Sequence, residues 1–306
     1  MAHPIWKDYI ITAEGESTEF TISYQGATIY EGKAYAKPGE RYVYIKVNDI
    51  CADYLRSTFP DIFPAPGYTY ERYIFEFDVT YTDASVTEVD TIQFTPDWSY
   101  EDNAPSNLLT APILRRIPEG APFIITATDD VYINGIEYSG DRGKCLHIIV
   151  TTTQSDNITI EAGSEQLIYQ VGGCSTRYVL YYLNAFGGWE FLAVEGKSLQ
   201  TDKYTRHTIG QTYNNAQSRN RGTRNYRNDI ERKWQLHTLW IDDAGAQNMH
   251  HLLGSTEMYL YDMQTEQLHP ITLDNPQCEY KTYSNNGNQL VRYDIEATLA
   301  QNLTRR

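Results

Sequence analysis

No stretch of this chain is apolar over the ~20 consecutive residues that a helix needs to cross a bilayer, so no membrane role is expected. The opening, MAHPIWKDYIITAEGE, has no basic region followed by an apolar core, so no secretory signal is expected. Cysteine is scarce: Cys51, Cys145, Cys174 and Cys278 lie far apart, and no CxxC pair occurs. That spacing argues against a zinc ribbon. Without an export signal it also argues against a disulfide framework, which leaves four buried thiols as the expectation. The nucleophile elbow GxSxG, the phosphate loop GxxxxGK[ST] and the dinucleotide motif GxGxxG are all missing. No unit of roughly 20–50 residues repeats, which disfavours a solenoid, a propeller or a repetitive fibre.

Positive charge is short too. Against 40 acidic residues stand 25 Lys and Arg, a formal charge of −15. Such a body repels a polyanion, so nucleic acid is not an expected partner. The shortage is uneven. From 203 to 233, eight basic residues (Lys203, Arg206, Arg219, Arg221, Arg224, Arg227, Arg232 and Lys233) meet only Asp229 and Glu231, which makes this segment +6 and the rest −21. The run NNAQSRNRGTRNYRNDIERK has the arginine spacing of RNA-contacting loops, yet few aromatics interleave with it. The expectation is a long basic loop at 203–233 that orders against an acidic neighbour, another copy of the chain included.

What is present describes an ordered β protein. Hydrophobic residues make up 41% and charged residues 21% of the 306 positions. Tyrosine outnumbers phenylalanine 26 to 9, an imbalance that suits contact surfaces as well as strand faces. Short β-prone runs alternate with turn residues throughout. Gln25-Gly26, Glu31-Gly32 and Pro38-Gly39 read as reversals, and RYIFEFDVTY reads as one strand with Tyr73, Phe75 and Phe77 on one face. Asn48 or Asp49 is positioned to cap a short helix, ICADYL. DDAGAQNMHHLLG reads as a second helix, capped by Asp242 or Asp243, closed by a left-handed Gly254, with Ala246, Met249 and Leu253 inward. Near the C-terminus Asn285-Asn286-Gly287 reads as a hairpin turn. The expected fold is mainly β, built of β-sandwich or barrel modules with two or three short helices. Its expected divisions are an N-terminal module (1–105), a middle sandwich-like segment (106–172) and a C-terminal module with a flanking helix (173–306).

Candidate chemistry is thin. His250 and His251 are adjacent on a helix, about 100° apart, and do not chelate one ion; His250 is expected near the apolar face. Asp97, Trp98, Tyr100, Glu101 and Asp102 place carboxylates beside aromatics, as glycosidases do, but no second carboxyl can be paired with them across space. The expectations are therefore no catalytic residue, no cofactor and no metal. The most unusual stretch is YVLYYLNAFGGWEFLAVEG (178–196), whose two runs are apolar or aromatic on both faces. Tyr181, Trp189 and Phe191, with Arg219, Arg221, Arg224 and Arg227, are the candidate interface residues. Burial of the hairpin on both sides by its own chain is the alternative.

The phrases IYEGKAYAKPGERYVYIKVNDICADYL, YYLNAFGGWEFLAVEG and ERKWQLHTLWI, with the C-terminal run from MHHLLG to IEATLA, resemble virion structural proteins of tailed phages and prophages of Bacteroidota. Within that class the chain is similar to tail-tip or ring components. The resemblance implies a non-enzymatic protein of the virion, assembled in the host bacterial cytoplasm. It implies an oligomeric distal-tail or neck ring whose partners are its own copies and other virion proteins. It supplies no residue roles. A carbohydrate-binding β-sandwich module, with Trp98 and Trp189 as stacking platforms, is the alternative function, and a glycoside hydrolase built on Asp97 or Glu101 a third.

Overall fold

Turn chemistry sets the first layer. At Asp83–Val86 the chain reverses over Ala84 and Ser85, both at positive φ (42° and 71°), the handedness that suits tight hairpins. Gln25-Gly26 makes a similar reversal. The computed structural model describes residues 2–55, 58–98, 107–151, 157–172, 176–194, 198–210, 223–274, 290–301 and 303–305. In it the N-terminal strands form a five-stranded sheet in the order His3–Pro4, Val86–Thr95, Phe75–Asp83, Ser17–Tyr24, Ala27–Tyr35. Phe75, Phe77, Val79 and Tyr81 alternate inward from this sheet, while Glu76 and Asp78 face water. They share a core with Ile11, Ala13, Val43 and Ile45 of the two-stranded sheet Ile10–Glu14/Tyr42–Lys46.

Two expectations change here. Glu31-Gly32 is no turn: the strand Ala27–Tyr35 runs straight through it. Gly32 lies opposite Phe20, and a Cβ there would meet the Tyr30 and Phe20 rings at 2.5 and 3.0 Å, so the glycine makes room for aromatics. RYIFEFDVTY is likewise divided. Gly67–Arg72 belongs to one sheet and Phe75–Asp83 to another, and the chain crosses over at Tyr73 and Ile74, whose amides both donate to the Gly143 carbonyl.

Gly67–Arg72 is the edge of a three-stranded sheet with Lys144–Thr151 in the centre and Pro122–Ala127 beyond, so strands from both sides of residue 105 share a sheet. A second five-stranded sheet follows the order Ile136–Tyr138, Val131–Ile133, Ile158–Ala162, Glu165–Val171, Arg116–Ile117. Both sheets contribute to one core: Phe123, Ile125, Ile148, Val131, Ile160 and Tyr169 among others.

The C-terminal third forms the largest sheet. Its order is Trp189–Val194, Tyr178–Leu183, Met258–Asp262, Gln267–Leu273, Asp294–Leu299, Thr223–His237, Leu199–Gly210, with Leu303–Arg305 also paired to Thr223–His237. Mainly β is therefore the observed class. Helices are short: Asn48–Cys51 with a 3₁₀ turn at Ala52–Tyr54, then Asp243–Gln247 and Met249–Leu253.

The second predicted helix is two. Asp242 caps the first as expected, its Oδ1 accepting from the Gly245 amide at 2.8 Å. The break falls at Asn248, whose Nδ2 donates to the Pro112 carbonyl at 3.1 Å. It rotates the second helix so that Leu252 and His251 are buried, not Leu253 and His250. Gly254 closes it at φ −88°, in the ordinary right-handed region. At the other helix neither Asn48 nor Asp49 makes a side-chain cap; Asn48 instead donates to the Ile5 carbonyl at 3.2 Å. Cys51 and Cys145 are free and buried, whereas Cys174, Cys278 and the Asn285-Asn286-Gly287 turn lie outside the described residues.

Candidate functional site

The two-faced hairpin finds both its partners within the chain. Tyr178–Leu183 pairs with Trp189–Val194, so Tyr181 faces Phe191 and Leu183 faces Trp189 on one side, while Leu180 faces Leu192 and Tyr182 faces Glu190 on the other. The first side packs into the core of the middle sheets with Phe59 and Phe123, and the second packs against the helices through Met249 and Leu252. Tyr181, Trp189 and Phe191 are 0, 1 and 2% exposed. These three are core residues, which corrects their assignment to an interface. Each polar atom that enters with them needs a partner. Tyr181 Oη donates to the Pro122 carbonyl, Trp189 Nε1 to the Thr58 carbonyl at 3.1 Å, and the Trp189 amide to Thr126 Oγ1 at 3.0 Å. Trp189 is also removed as a glycan-stacking platform.

Glu190 follows the hairpin inside. Its carboxylate accepts from Thr110 Oγ1 at 2.5 Å and from the Ala111 amide at 2.8 Å, fixing the 107–111 segment on the sheet. Burial pushes its pKa up to about 7, against those hydrogen bonds. Across from it the Tyr182 hydroxyl is buried with no hydrogen-bond partner among the described residues.

The surface feature that stands out is an arm. Leu199–Gly210 and Thr223–His237 pair along their length, and Leu199–Gly210 is the outer strand of the sheet, so its far edge carries no strand among the described residues. Beyond Arg206↔Asn228 the pair is two-stranded only, with a register shift after His207 that leaves Tyr226 unmatched. Tyr204, Ile209 and Tyr226 are 59, 55 and 57% exposed. A β-arm thus replaces much of the expected loop at 203–233, since apolar-polar alternation there is weak and the pairing is written in charge. Lys203 lies opposite Glu231 and Asp202 opposite Arg232 in register, with contacts of 3.3 and 2.8 Å; Asp229 meets both His207 (2.7 Å) and Arg227 (2.6 Å), and Lys233 meets Asp274 (2.8 Å). Arg227 is therefore paired within the arm. Much of the basic charge is neutralised by acids of the same chain, two of which, Asp202 and Asp274, fall outside the 203–233 count. Arg219 and Arg221 lie outside the described residues, and of Arg224 only the backbone is described, opposite Ile209.

A cleft of about 670 Å³ lies between the helices and the loop after Val86–Thr95, lined by Leu55, Trp98, Ala185, His250, His251 and Thr256 among others. The Trp98 amide donates to the Ala185 carbonyl at 2.6 Å while the residue is 42% exposed, so a backbone bond anchors this loop. His251 Nδ1 accepts from the Ala185 amide at 3.2 Å, and burial beside His250 depresses its pKa to about 3. It is a neutral, structural histidine. Asp97 is buried; Tyr100, Glu101 and Asp102 lie outside the described residues. Three ligand-type side chains converge elsewhere, at Glu71, Cys145 and His147. The spacing of Cys145 and His147 along CLHIIVTTT was a legible signal for a shared strand face; their neighbour Glu71 came from 74 positions away and was not.

Comparison of the chain with protein-family models and with curated proteins finds no match.

Proposed function

We propose that this chain is a structural component of a tailed-phage virion, an oligomeric tail-tip or neck ring protein that works through protein–protein interfaces and not by catalysis. The observation that carries this reading is the arm. Two strands paired only with each other are marginal in water, and an unpaired strand edge is a template for another chain. The outer strand is 12 residues long, exposed on both faces, and bears Leu199, Tyr204 and Ile209 where a soluble monomer gains nothing from them. The charges along it, Asp202, Lys203 and Arg206, restrict which edge can add to it, as a specific assembly contact requires. The resemblance of the sequence to virion proteins of Bacteroidota phages points the same way. Its place is then the virion, with assembly in the host cytoplasm. Electron microscopy of the purified chain, together with mass spectrometry of purified particles, tests it. Closed rings and a constant copy number per particle are expected; a monomer absent from particles overturns it.

The alternative, a carbohydrate-binding module, draws on Trp98 alone. Its half-exposed indole borders a cleft whose volume suits a small ligand. Glycan-array binding that disappears in Trp98→Ala would favour this reading over assembly.

A further inference from the structure

Sheet register gathers an unusual set of side chains on one face of the three-stranded sheet. Cys145 and His147 are two apart on the central strand and so point the same way. Glu71 is the direct cross-strand partner of Cys145 on one side, and Thr126 is that of His147 on the other. Three atoms converge. His147 Nε2 lies 3.4 Å from Cys145 Sγ and 3.1 Å from Glu71 Oε2, and all three ligand atoms fall within 4.8 Å of one another. His147 Nε2 faces the sulfur and the carboxylate at once, and the Cys145 thiol also donates to the Glu71 carbonyl at 3.7 Å. One ion can take the place of these bonds: tetrahedral zinc with ordinary bond lengths places S and N about 3.5 Å apart and N and O about 3.4 Å apart.

The remaining atoms of the ligands are held as metal ligands usually are. His147 Nδ1 is 3.0 Å from Thr126 Oγ1, and Thr126 Oγ1 in turn accepts from the Trp189 amide. Glu71 Oε1 accepts from the Thr58 amide at 2.7 Å and from Thr58 Oγ1 at 2.9 Å, while Oε2 faces His147. The histidine side chain is 1% and the glutamate 20% exposed, so among the described residues of the cluster Glu71 is the more open to solvent.

We propose that Glu71, Cys145 and His147 form a zinc(II) site that clamps the edge strand Gly67–Arg72 to Lys144–Thr151. Thiolate, imidazole and carboxylate together suit this ion, and three protein ligands leave the fourth position to a water from the Glu71 side. On binding, the Cys145 thiol loses its proton to solvent. The imidazole keeps one proton, carried on Nδ1 and donated to Thr126 Oγ1, and coordinates through Nε2. The site is independent of the assembly reading, because it stands or falls on the isolated chain.

The full chain, stripped with a chelator, is titrated with zinc by calorimetry and with cobalt(II) by absorption. Expected are about one ion per chain, a thiolate-to-cobalt charge-transfer band, and a melting temperature that rises with zinc concentration. The band persists when Cys51, Cys174 and Cys278 are all changed to Ser, and is lost in Cys145→Ser. Thr126→Val lowers zinc affinity about 10- to 100-fold. If Cys145→Ser does not fold, Glu71→Gln, on the edge strand, carries the test by weakening zinc binding with the fold retained. A folded chain that takes up neither ion, or a cobalt band that follows a cysteine other than Cys145, overturns the proposal and leaves a hydrogen-bonded cluster.

Discussion

The Trp189 amide donates to Thr126 Oγ1 at 3.0 Å, joining the aromatic hairpin to the neighbouring three-stranded sheet. Together with the indole bond to Thr58 and the ring contact to Phe59 at 4.8 Å, it makes Trp189 the point where segments more than 60 positions apart meet. Trp189→Ala is expected to destabilise the chain by about 3–5 kcal/mol, as large buried aromatics do. Denaturant unfolding measures it. A cost within about 0.5 kcal/mol, the range of exposed positions, would mean that this ring is not core.

Tyr182→Phe is expected to be neutral or stabilising. The hydroxyl is buried without a partner among the described residues, and removing such a group relieves a desolvation penalty of about 1–3 kcal/mol while the ring keeps its packing. A clear loss of stability in the same unfolding assay would reveal a bond to this oxygen.

Glu190 and His251 predict opposite pH dependences. Burial raises the folded pKa of Glu190 from 4.5 to about 7, so the folded chain holds this proton more tightly than the unfolded chain. Its contribution is complete below pH 4.5 and is lost as pH rises through 7, on the order of 3 kcal/mol over that window. His251 is depressed from 6.5 to about 3, so its contribution is present above 6.5 and is lost as pH falls toward 3. Thermal melts across pH 4–8 (roughly the span where such groups titrate) check both. Glu190→Gln should flatten the decline on the alkaline side, and His251→Gln the decline on the acid side. Profiles unchanged by either substitution would contradict these environments.

Much of the fold was legible because its turns are chemically explicit. Gln25-Gly26 reverses the chain between Ser17–Tyr24 and Ala27–Tyr35, where its turn residues put the reversal. The failures have physical causes. Glu31-Gly32 carries a turn signature, but its glycine makes room for the Tyr30 and Phe20 rings, and the cross-strand contact to Phe20 is one that sequence spacing does not show. The helical phase of His250 and His251 was reversed by a break at Asn248 that depends on a carbonyl 136 residues away. The hairpin at 178–194 was correctly singled out as apolar on both faces, yet composition alone does not tell a neighbouring copy from the chain's own sheets and helices. At the arm, charge totals concealed pairing: Asp202 lies one position before the counted segment and Asp274 lies 41 positions after Lys233, and both neutralise residues within it.

The central claim is self-association through the arm, and one comparison addresses it most directly. Multi-angle light scattering is run over a wide concentration range on the full chain and on a variant in which residues 207–227 are replaced by an Asn-Gly turn, joining the paired residues Arg206 and Asn228, and the exposed Leu199 and Tyr204 of the retained outer strand are changed to Lys. The account predicts a closed oligomer of fixed mass for the full chain and a folded monomer for the shortened one. A full chain that stays monomeric at every concentration, or an oligomer that persists unchanged without the arm, would contradict it.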